Sequence, residues 1–125
     1  ADFKCKTLLW GQVKDERFIL REEGSGTRNL FLKALEQIGI NIKELQVIAE
    51  IENSQTIKQC VMAGLGVSVV SENSVSEEVQ YGLLKAFYIE DLDLKRKFYF
   101  IYHKNRVLNP LARAFKDFVI QFYNK

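Results

Sequence analysis

The sequence changes from a strand pattern to a helix pattern within Phe18-Ile19-Leu20-Arg21-Glu22-Glu23-Gly24-Ser25-Gly26-Thr27-Arg28. The first three residues form a short apolar run, and apolar residues after the glycines repeat at helical spacing. A helix start leaves several backbone amides without partners and carries a partial positive charge. Glycines also let the backbone come close to a ligand. The turn at Gly24, Ser25, Gly26 and Thr27 therefore predicts a binding site for a small anion.

A second turn of the same kind, at Asn53, Ser54 and Gln55, follows the next apolar run, residues 46–51. Because neighbouring parallel strands end at the same edge of a sheet, we expect the two helix starts to lie side by side. Together they would form a pocket for an acid. The alternative role for Ser25 and Ser54 is helix capping, and a hydroxyl that caps a helix can also face a ligand.

The first half of the chain alternates strands with helices. Gly39 is predicted to end the first helix and Gly66 the second. Residues 67–70 are short and β-branched, which predicts a third buried strand. Strands that alternate with helices indicate a parallel sheet. The predicted fold class is therefore α/β, a three-layer sandwich with a mainly parallel sheet.

The pattern changes in the second half. It predicts a short helix and two strands, at residues 74–81, 83–89 and 98–102. Gly82 is predicted to stop that helix. Asn109 and Pro110 are typical of the start of a final helix, whose apolar stripe indicates core or partner surface rather than a cofactor site. Residues 1–14 show no pattern that places them.

Composition excludes several classes of protein. The chain is 47% hydrophobic and 27% charged, as in one globular domain, and its net charge of +2 is too balanced for a dense nucleic-acid-binding face. No apolar run is long enough to span a membrane and no secretory pattern opens the chain, which predicts a cytoplasmic protein. Cys5 and Cys60 are expected to be free thiols, and Lys95-Arg96-Lys97 a solvated strand start.

Enzymatic chemistry is the main rival to a binding role. The glycine turn begins like a dinucleotide fingerprint, with Glu50 or Glu52 near the place of the ribose-binding acid, but the third glycine is missing. Cys60 and His103 could be imagined as nucleophile and base, yet Cys60 lies on the apolar face of a predicted helix, where cysteine is usually inert. The pattern of a serine nucleophile elbow is not satisfied around Ser25. We therefore predict a binding protein without a cofactor or metal.

Three stretches match a known family in order and in spacing. They are residues 18–28, Asn53-Ser54-Gln55-Thr56-Ile57-Lys58 with Ala63-Gly64-Leu65-Gly66-Val67, and Leu108-Asn109-Pro110-Leu111-Ala112-Arg113-Ala114-Phe115. On these residues the chain resembles the effector-binding domain of LysR-type transcriptional regulators, from about Phe18 to Phe122. Ser71 departs from the family, which commonly has proline after the third strand.

The resemblance implies a lobe of the periplasmic-binding-protein type II, part of a two-lobe domain that holds its effector between the lobes. Residues 18–125 would form the second lobe with its returning strand and C-terminal helix, and residues 1–17 a lead-in or a remnant of the first lobe. The chain would then be a fragment, whose DNA-binding winged helix-turn-helix lies N-terminal to it. Gly24 to Thr27 and Ser54 fall on the family's pocket turns.

The same resemblance implies the partners. They are a small anionic effector, a second copy of the chain in a homodimer or higher oligomer, and DNA through the winged helix-turn-helix only. A lobe of a solute-binding protein or of a transferase has the same architecture and remains the alternative, because a fold does not fix a function.

Overall fold

The structure, a computed structural model, describes residues 6–94 and 98–105. Within these residues the chain forms six strands and three helices. In chain order they are β1 (Lys6–Leu8), β2 (Arg17–Leu20), α1 (Gly26–Gln37), β3 (Gln46–Glu50), α2 (Ser54–Met62), β4 (Ser68–Ser71), α3 (Glu72–Gln80), β5 (Leu84–Ile89) and β6 (Phe98–His103). The predicted final helix from Asn109, the basic run Lys95-Arg96-Lys97 and Cys5 lie outside the described residues.

The strands form a four-stranded sheet in the order β1-β5-β6-β4 and a two-stranded sheet of β2 and β3. Val67 joins the two sheets, since its amide donates to the Arg17 carbonyl (2.8 Å) and its carbonyl accepts from the Ile19 amide (2.9 Å). The α/β class is confirmed. The strand pairing is mixed rather than mainly parallel, because β6 returns antiparallel to both β4 and β5, whereas β2 pairs with β3 and β1 with β5 in parallel.

Side chains alternate between the two faces of the strands, as a period of two requires. On β2, Phe18 packs with the buried residues of α1, whereas Ile19 packs with Ile57 of α2 and Val75 of α3. Helices therefore cover both faces, with α1 on one side and α2 and α3 on the other. This is the three-layer arrangement that the sequence predicts.

Four aromatic rings form the centre of the α1 side of the core. Trp10, Phe18, Phe31 and Phe100 lie with ring centroids 5.5–6.3 Å apart, most of them tilted or edge to face. Aromatic pairs in such arrangements stabilise a core beyond the area that they bury. Trp10 comes from the segment that the sequence pattern left unplaced.

The unplaced segment is part of the same sheet and core. β1 pairs with β5, and a 3-10 turn at Trp10–Gln12 follows it. The Asp91 carboxylate accepts a hydrogen bond from the Trp10 amide at 2.8 Å, which fixes the start of that turn. Val13, after the turn, is fully buried. Residues 6–13 therefore belong to the same sheet and core as the elements that follow them.

Glycines end the helices, but not all at the predicted positions. Gly39 and Gly82 follow α1 and α3, as predicted, and both adopt positive φ. The second helix ends earlier than predicted: α2 stops at Met62, and the glycine that follows its end with positive φ is Gly64 (79°) rather than Gly66. Leu65 is accordingly outside the helix and half exposed. The described part of the chain contains no helix that could span a membrane.

Candidate functional site

The two predicted helix starts lie side by side. β2 and β3 are parallel neighbours in register at Leu20 and Glu50, and the Ile51 amide continues the ladder by donating to the Leu20 carbonyl at 2.9 Å. Both strands therefore end at the same edge, and α1 and α2 begin just beyond it. The predicted adjacency of the two turns is confirmed.

The first turn is a capped helix start. Gly24 has φ of 91°, a conformation that a side chain would strain. Ser25 is buried, and its hydroxyl accepts a hydrogen bond from the Arg28 amide at 3.4 Å. Ser25 therefore caps α1, the alternative role that the sequence left open. Gly26 is exposed and Thr27 half-buried at the surface of this turn.

The second turn is capped by Asn53 rather than by Ser54. The Asn53 side-chain oxygen accepts from the amides of Gln55 (2.7 Å) and Thr56 (3.3 Å). Asn53 and Gln55 are exposed, and Ser54 is half-buried. Ser54 is thus free of the capping role, and its hydroxyl is directed to another partner.

Both caps leave some amides of the helix starts unused. Within residues 6–94 and 98–105, the amides of Gly26, Thr27 and Ser54 donate no hydrogen bond. These three donors come from two different helices that begin at one edge. Unpaired amides at helix starts are the groups that hold carboxylates and phosphates in proteins.

Arg21 is a site residue that the sequence reasoning did not select. It follows β2 directly, and its Nη1 donates to the Ser54 hydroxyl oxygen at 3.3 Å, so that it joins the first turn to the second. Its Nε and Nη2 donate to the two carboxylate oxygens of Glu22 at 3.3 and 3.0 Å. These hydrogen bonds from Arg21, more than any other cause, hold the pKa of the Glu22 carboxyl below its usual value. A cation that directly follows a buried strand was the available signal.

Arg28 has a structural role. It is 7% exposed, and its Nη1 donates to the Arg21 carbonyl (2.9 Å) and pairs with the Glu50 carboxylate (3.0 Å). Arg28 therefore ties α1 to the ends of both β2 and β3. This contact fixes the backbone of Arg21 relative to the second turn.

The residues considered for dinucleotide binding or for catalysis lie away from the paired turns or already have a partner. Glu50, a candidate for the ribose-binding acid, is paired with Arg28. Cys60 is a free cysteine that packs against the apolar cluster between α2 and the sheet. His103 ends β6, where its Nδ1 accepts from the Asn105 amide at 3.1 Å.

Two cavities in the described residues lie away from the paired turns. One of about 330 Å³ follows the end of α1, and its lining includes Gly39 and Ile42. The other, of about 300 Å³, is lined by residues of β1, the end of β5 and the segment after it, among them Asp91 and Asp93. Neither of these two cavities contains a residue of the predicted site.

Comparison with known proteins supplies a family. A family model described as the LysR substrate binding domain matches residues 3–123. Among curated relatives, the HTH-type transcriptional regulator CbbR of Rhodospirillum rubrum is 34% identical over 114 residues, which cover 91% of this chain and 37% of the relative. An HTH-type transcriptional regulator of Methanocaldococcus jannaschii is 40% identical over 86% of this chain and 36% of its own length. The chain thus spans a little over a third of these relatives.

Solved structures agree with the sequence comparison. The CcmR regulatory domain of Synechocystis PCC6803, in complex with 2-PG, superposes with a TM-score of 0.60 at 26% identity, over 95% of this chain and 55% of the other. The effector-binding domain of QuiR, in complex with shikimate, shares the fold with a TM-score of 0.59 at 22% identity, over 95% and 54% of the two chains.

Proposed function

This chain belongs to the LysR substrate binding domain family, and from this premise we propose that it senses a small anionic metabolite and passes its occupancy to a separate DNA-binding domain. The resemblance seen in the three sequence stretches is thereby confirmed. The proposed ligand site consists of Gly24, Ser25, Gly26 and Thr27 in the first turn and Asn53, Ser54 and Gln55 in the second.

The observation that carries this proposal is the adjacency of two helix starts with unused donors. An exposed helix start favours an anion by only about 0.3–1 kcal/mol, so one start is a weak site. Here the open amides of Gly26, Thr27 and Ser54 lie at the same sheet edge as the Thr27 and Ser54 hydroxyls, and the Arg21 guanidinium contacts the Ser54 hydroxyl. Several donors acting on one anion give an affinity that no single donor provides.

The relatives support a regulator over the alternatives. The CcmR regulatory domain, 26% identical, binds 2-PG, a small anion. The curated relatives named above are transcriptional regulators rather than transport proteins or transferases, which disfavours the solute-binding and transferase alternatives. The engagement of Glu50 by Arg28 also disfavours a dinucleotide site. We therefore assign a binding function without catalysis, carried out in the cytoplasm where regulators meet DNA.

Signal transfer requires that the ligand bind two arrangements of the protein with different affinity. A ligand can shift such an equilibrium only by the ratio of its affinities for the two states. The lobe described here would supply one wall of the site, and closure of a second lobe over the paired turns would provide the difference. DNA would be contacted through the winged helix-turn-helix domain and not through this lobe.

Removal of either hydroxyl tests the site. We expect Ser54→Ala and Thr27→Ala each to weaken binding of 2-PG about tenfold, because a hydrogen bond to a charged group contributes about 1.5 kcal/mol or more. Isothermal titration calorimetry with 2-PG, inorganic phosphate and a panel of small carboxylates measures the change. The matched control is Ser76→Ala, which removes a half-buried hydroxyl from α3 and should leave the affinity unchanged. Unaltered binding in both site variants would show that the site is misplaced.

Association of copies of the chain is the second expected property. Within the described residues β3 pairs only with β2 and so forms the outer edge of the two-stranded sheet, and Ile48 on this strand is 44% exposed. An open strand edge with an exposed apolar side chain favours pairing with another chain. We expect a dimer or larger species in sedimentation velocity at micromolar concentration, and Ile48→Lys should shift the distribution toward smaller species. A clean monomer of the unsubstituted chain at that concentration would contradict the proposal.

A further inference from the structure

Arg21 carries the only guanidinium that the described residues place between the two turns. Its side chain is 27% exposed, in contrast to Arg28, which is buried and committed to Glu50 and to the Arg21 carbonyl. Ser54 holds one terminal nitrogen of Arg21 at 3.3 Å. The remaining donors, Nε and Nη2, form the fork that pairs with a carboxylate or a phosphate through two parallel hydrogen bonds.

That fork is occupied by a carboxylate of the same chain. Glu22 accepts from Nε at 3.3 Å and from Nη2 at 3.0 Å, so both of its oxygens are used, as those of a bound ligand would be. Glu22 is the next residue in sequence and its side chain is 32% exposed. An exposed ion pair between two neighbours is a weak interaction, because solvent screens it and the side chains lose freedom in forming it.

We propose that Arg21 selects the charge of the effector and that Glu22 is its internal competitor. An incoming anion with two adjacent oxygens would displace Glu22 from Nε and Nη2, while Ser54 keeps the guanidinium between the helix starts. The inference rests on the proposed function of this site. The recognised group would be a carboxylate or phosphate that pairs with arginine through two oxygens. Binding would exchange the Glu22 carboxylate for that group on Arg21.

The two arginines would then have different roles at this edge. The Arg28 side chain donates a hydrogen bond to the Arg21 carbonyl and so fixes the main chain there, whereas the Arg21 side chain would bind the ligand. Glu22 would keep the site from holding weakly bound anions, since each must replace a carboxylate that is already present. A stronger anion that also engages the amides of Gly26, Thr27 and Ser54 gains contacts that Glu22 does not make.

Calorimetry with 2-PG and with inorganic phosphate on the 125-residue chain tests this exchange. We expect Arg21→Gln to weaken binding about tenfold or more, since a charge-assisted pair of hydrogen bonds is lost. Glu22→Gln should strengthen binding about threefold to tenfold, because the competitor is removed. Glu23→Gln is the matched control: Glu23 is an exposed acid in the same turn, so it reports the general effect of one negative charge fewer.

The double variant separates competition from general electrostatics. If Glu22 acts through Arg21, Glu22→Gln should have little effect in the Arg21→Gln background, and its effect should exceed that of Glu23→Gln in the native background. Equal gains from Glu22→Gln and Glu23→Gln, or a gain that persists without Arg21, would overturn the proposal. Binding that depends on Ser54 and Thr27 but not on Arg21 would overturn this inference and leave the proposed function standing. No binding of any anion by the unsubstituted chain would overturn both.

Discussion

Replacement of Lys58 by alanine is expected to lower the free energy of unfolding by about 3 kcal/mol or more. Lys58 is 4% exposed, and its Nζ donates to the Ser74 carbonyl (2.6 Å) and to both carboxylate oxygens of Glu78 (3.1 and 3.0 Å). The ammonium thus joins α2 to α3. Without it, the Glu78 carboxylate, whose side chain is 16% exposed, keeps its charge with no partner. Urea denaturation followed by circular dichroism measures the loss.

Two further variants show whether the charge or the packing is responsible. Lys33→Ala is the matched control, because Lys33 is an exposed helical lysine on α1, and its effect should stay within about 0.5 kcal/mol. The double variant Lys58→Met with Glu78→Leu removes both charges at similar volume and should recover much of the stability, as replacement of a buried ion pair by apolar residues often does. A loss in Lys58→Ala no larger than in Lys33→Ala would contradict the structural role.

Periodicity in the sequence was sufficient to predict the elements that are stabilised by burial of their own apolar face. α1 has Phe31, Ala34 and Leu35 at helical spacing and buries all three, and β4 is a short β-branched run that is buried on both faces. Gly39 and Gly82 mark helix ends because a left-handed residue is needed there. The edge shared by the two turns follows from parallel pairing of consecutive strands. These features are local, or follow from the order of local features.

What could not be predicted depends on partners far along the chain. β1 has only three residues, too few for a period, and it becomes a strand by pairing with β5 near the other end of the described chain. Lys58 stands among apolar residues of α2, yet its acceptors lie on α3. The roles of Arg21 and Arg28 likewise depend on Ser54 and Glu50 across the edge. A periodic pattern does not show which charged side chains come into contact when the chain folds.

The end of α2 also depends on a contact that is distant in sequence. Gly64 and Gly66 both follow the helix, and the sequence pattern predicted the helix end at Gly66, whereas Gly64 is the one that follows it with positive φ. Gly64 has φ of 79° and open space around the position of a β carbon, whereas a β carbon on Gly66 would lie 2.5 Å from the Arg17 carbonyl oxygen. Gly64 is therefore required by conformation, and Gly66 by the close approach of the chain to β2.

Gly66→Ala is consequently expected to be the most destabilising of the glycine substitutions, by about 3 kcal/mol. The blocking atom is backbone and accepts the Val67 amide at 2.8 Å, so relief of the clash would move the strand junction that joins the two sheets. Gly64→Ala should cost about 1 kcal/mol, since only the left-handed conformation is strained. Thermal and urea unfolding of the two variants would rank them.

Gly11→Ala completes this series as the matched control. Gly11 has ordinary φ and nothing within 4 Å of an added β carbon, so its substitution should be neutral or slightly stabilising, because alanine narrows the unfolded ensemble. The predicted order of destabilisation, Gly66 above Gly64 above Gly11, separates steric exclusion from backbone strain. Equal losses at Gly66 and Gly64 would mean that the junction at Val67 yields to a methyl group. The pairing of Val67 with β2, and with it the position of the first turn, would then be less strictly fixed than the close contact at Arg17 implies.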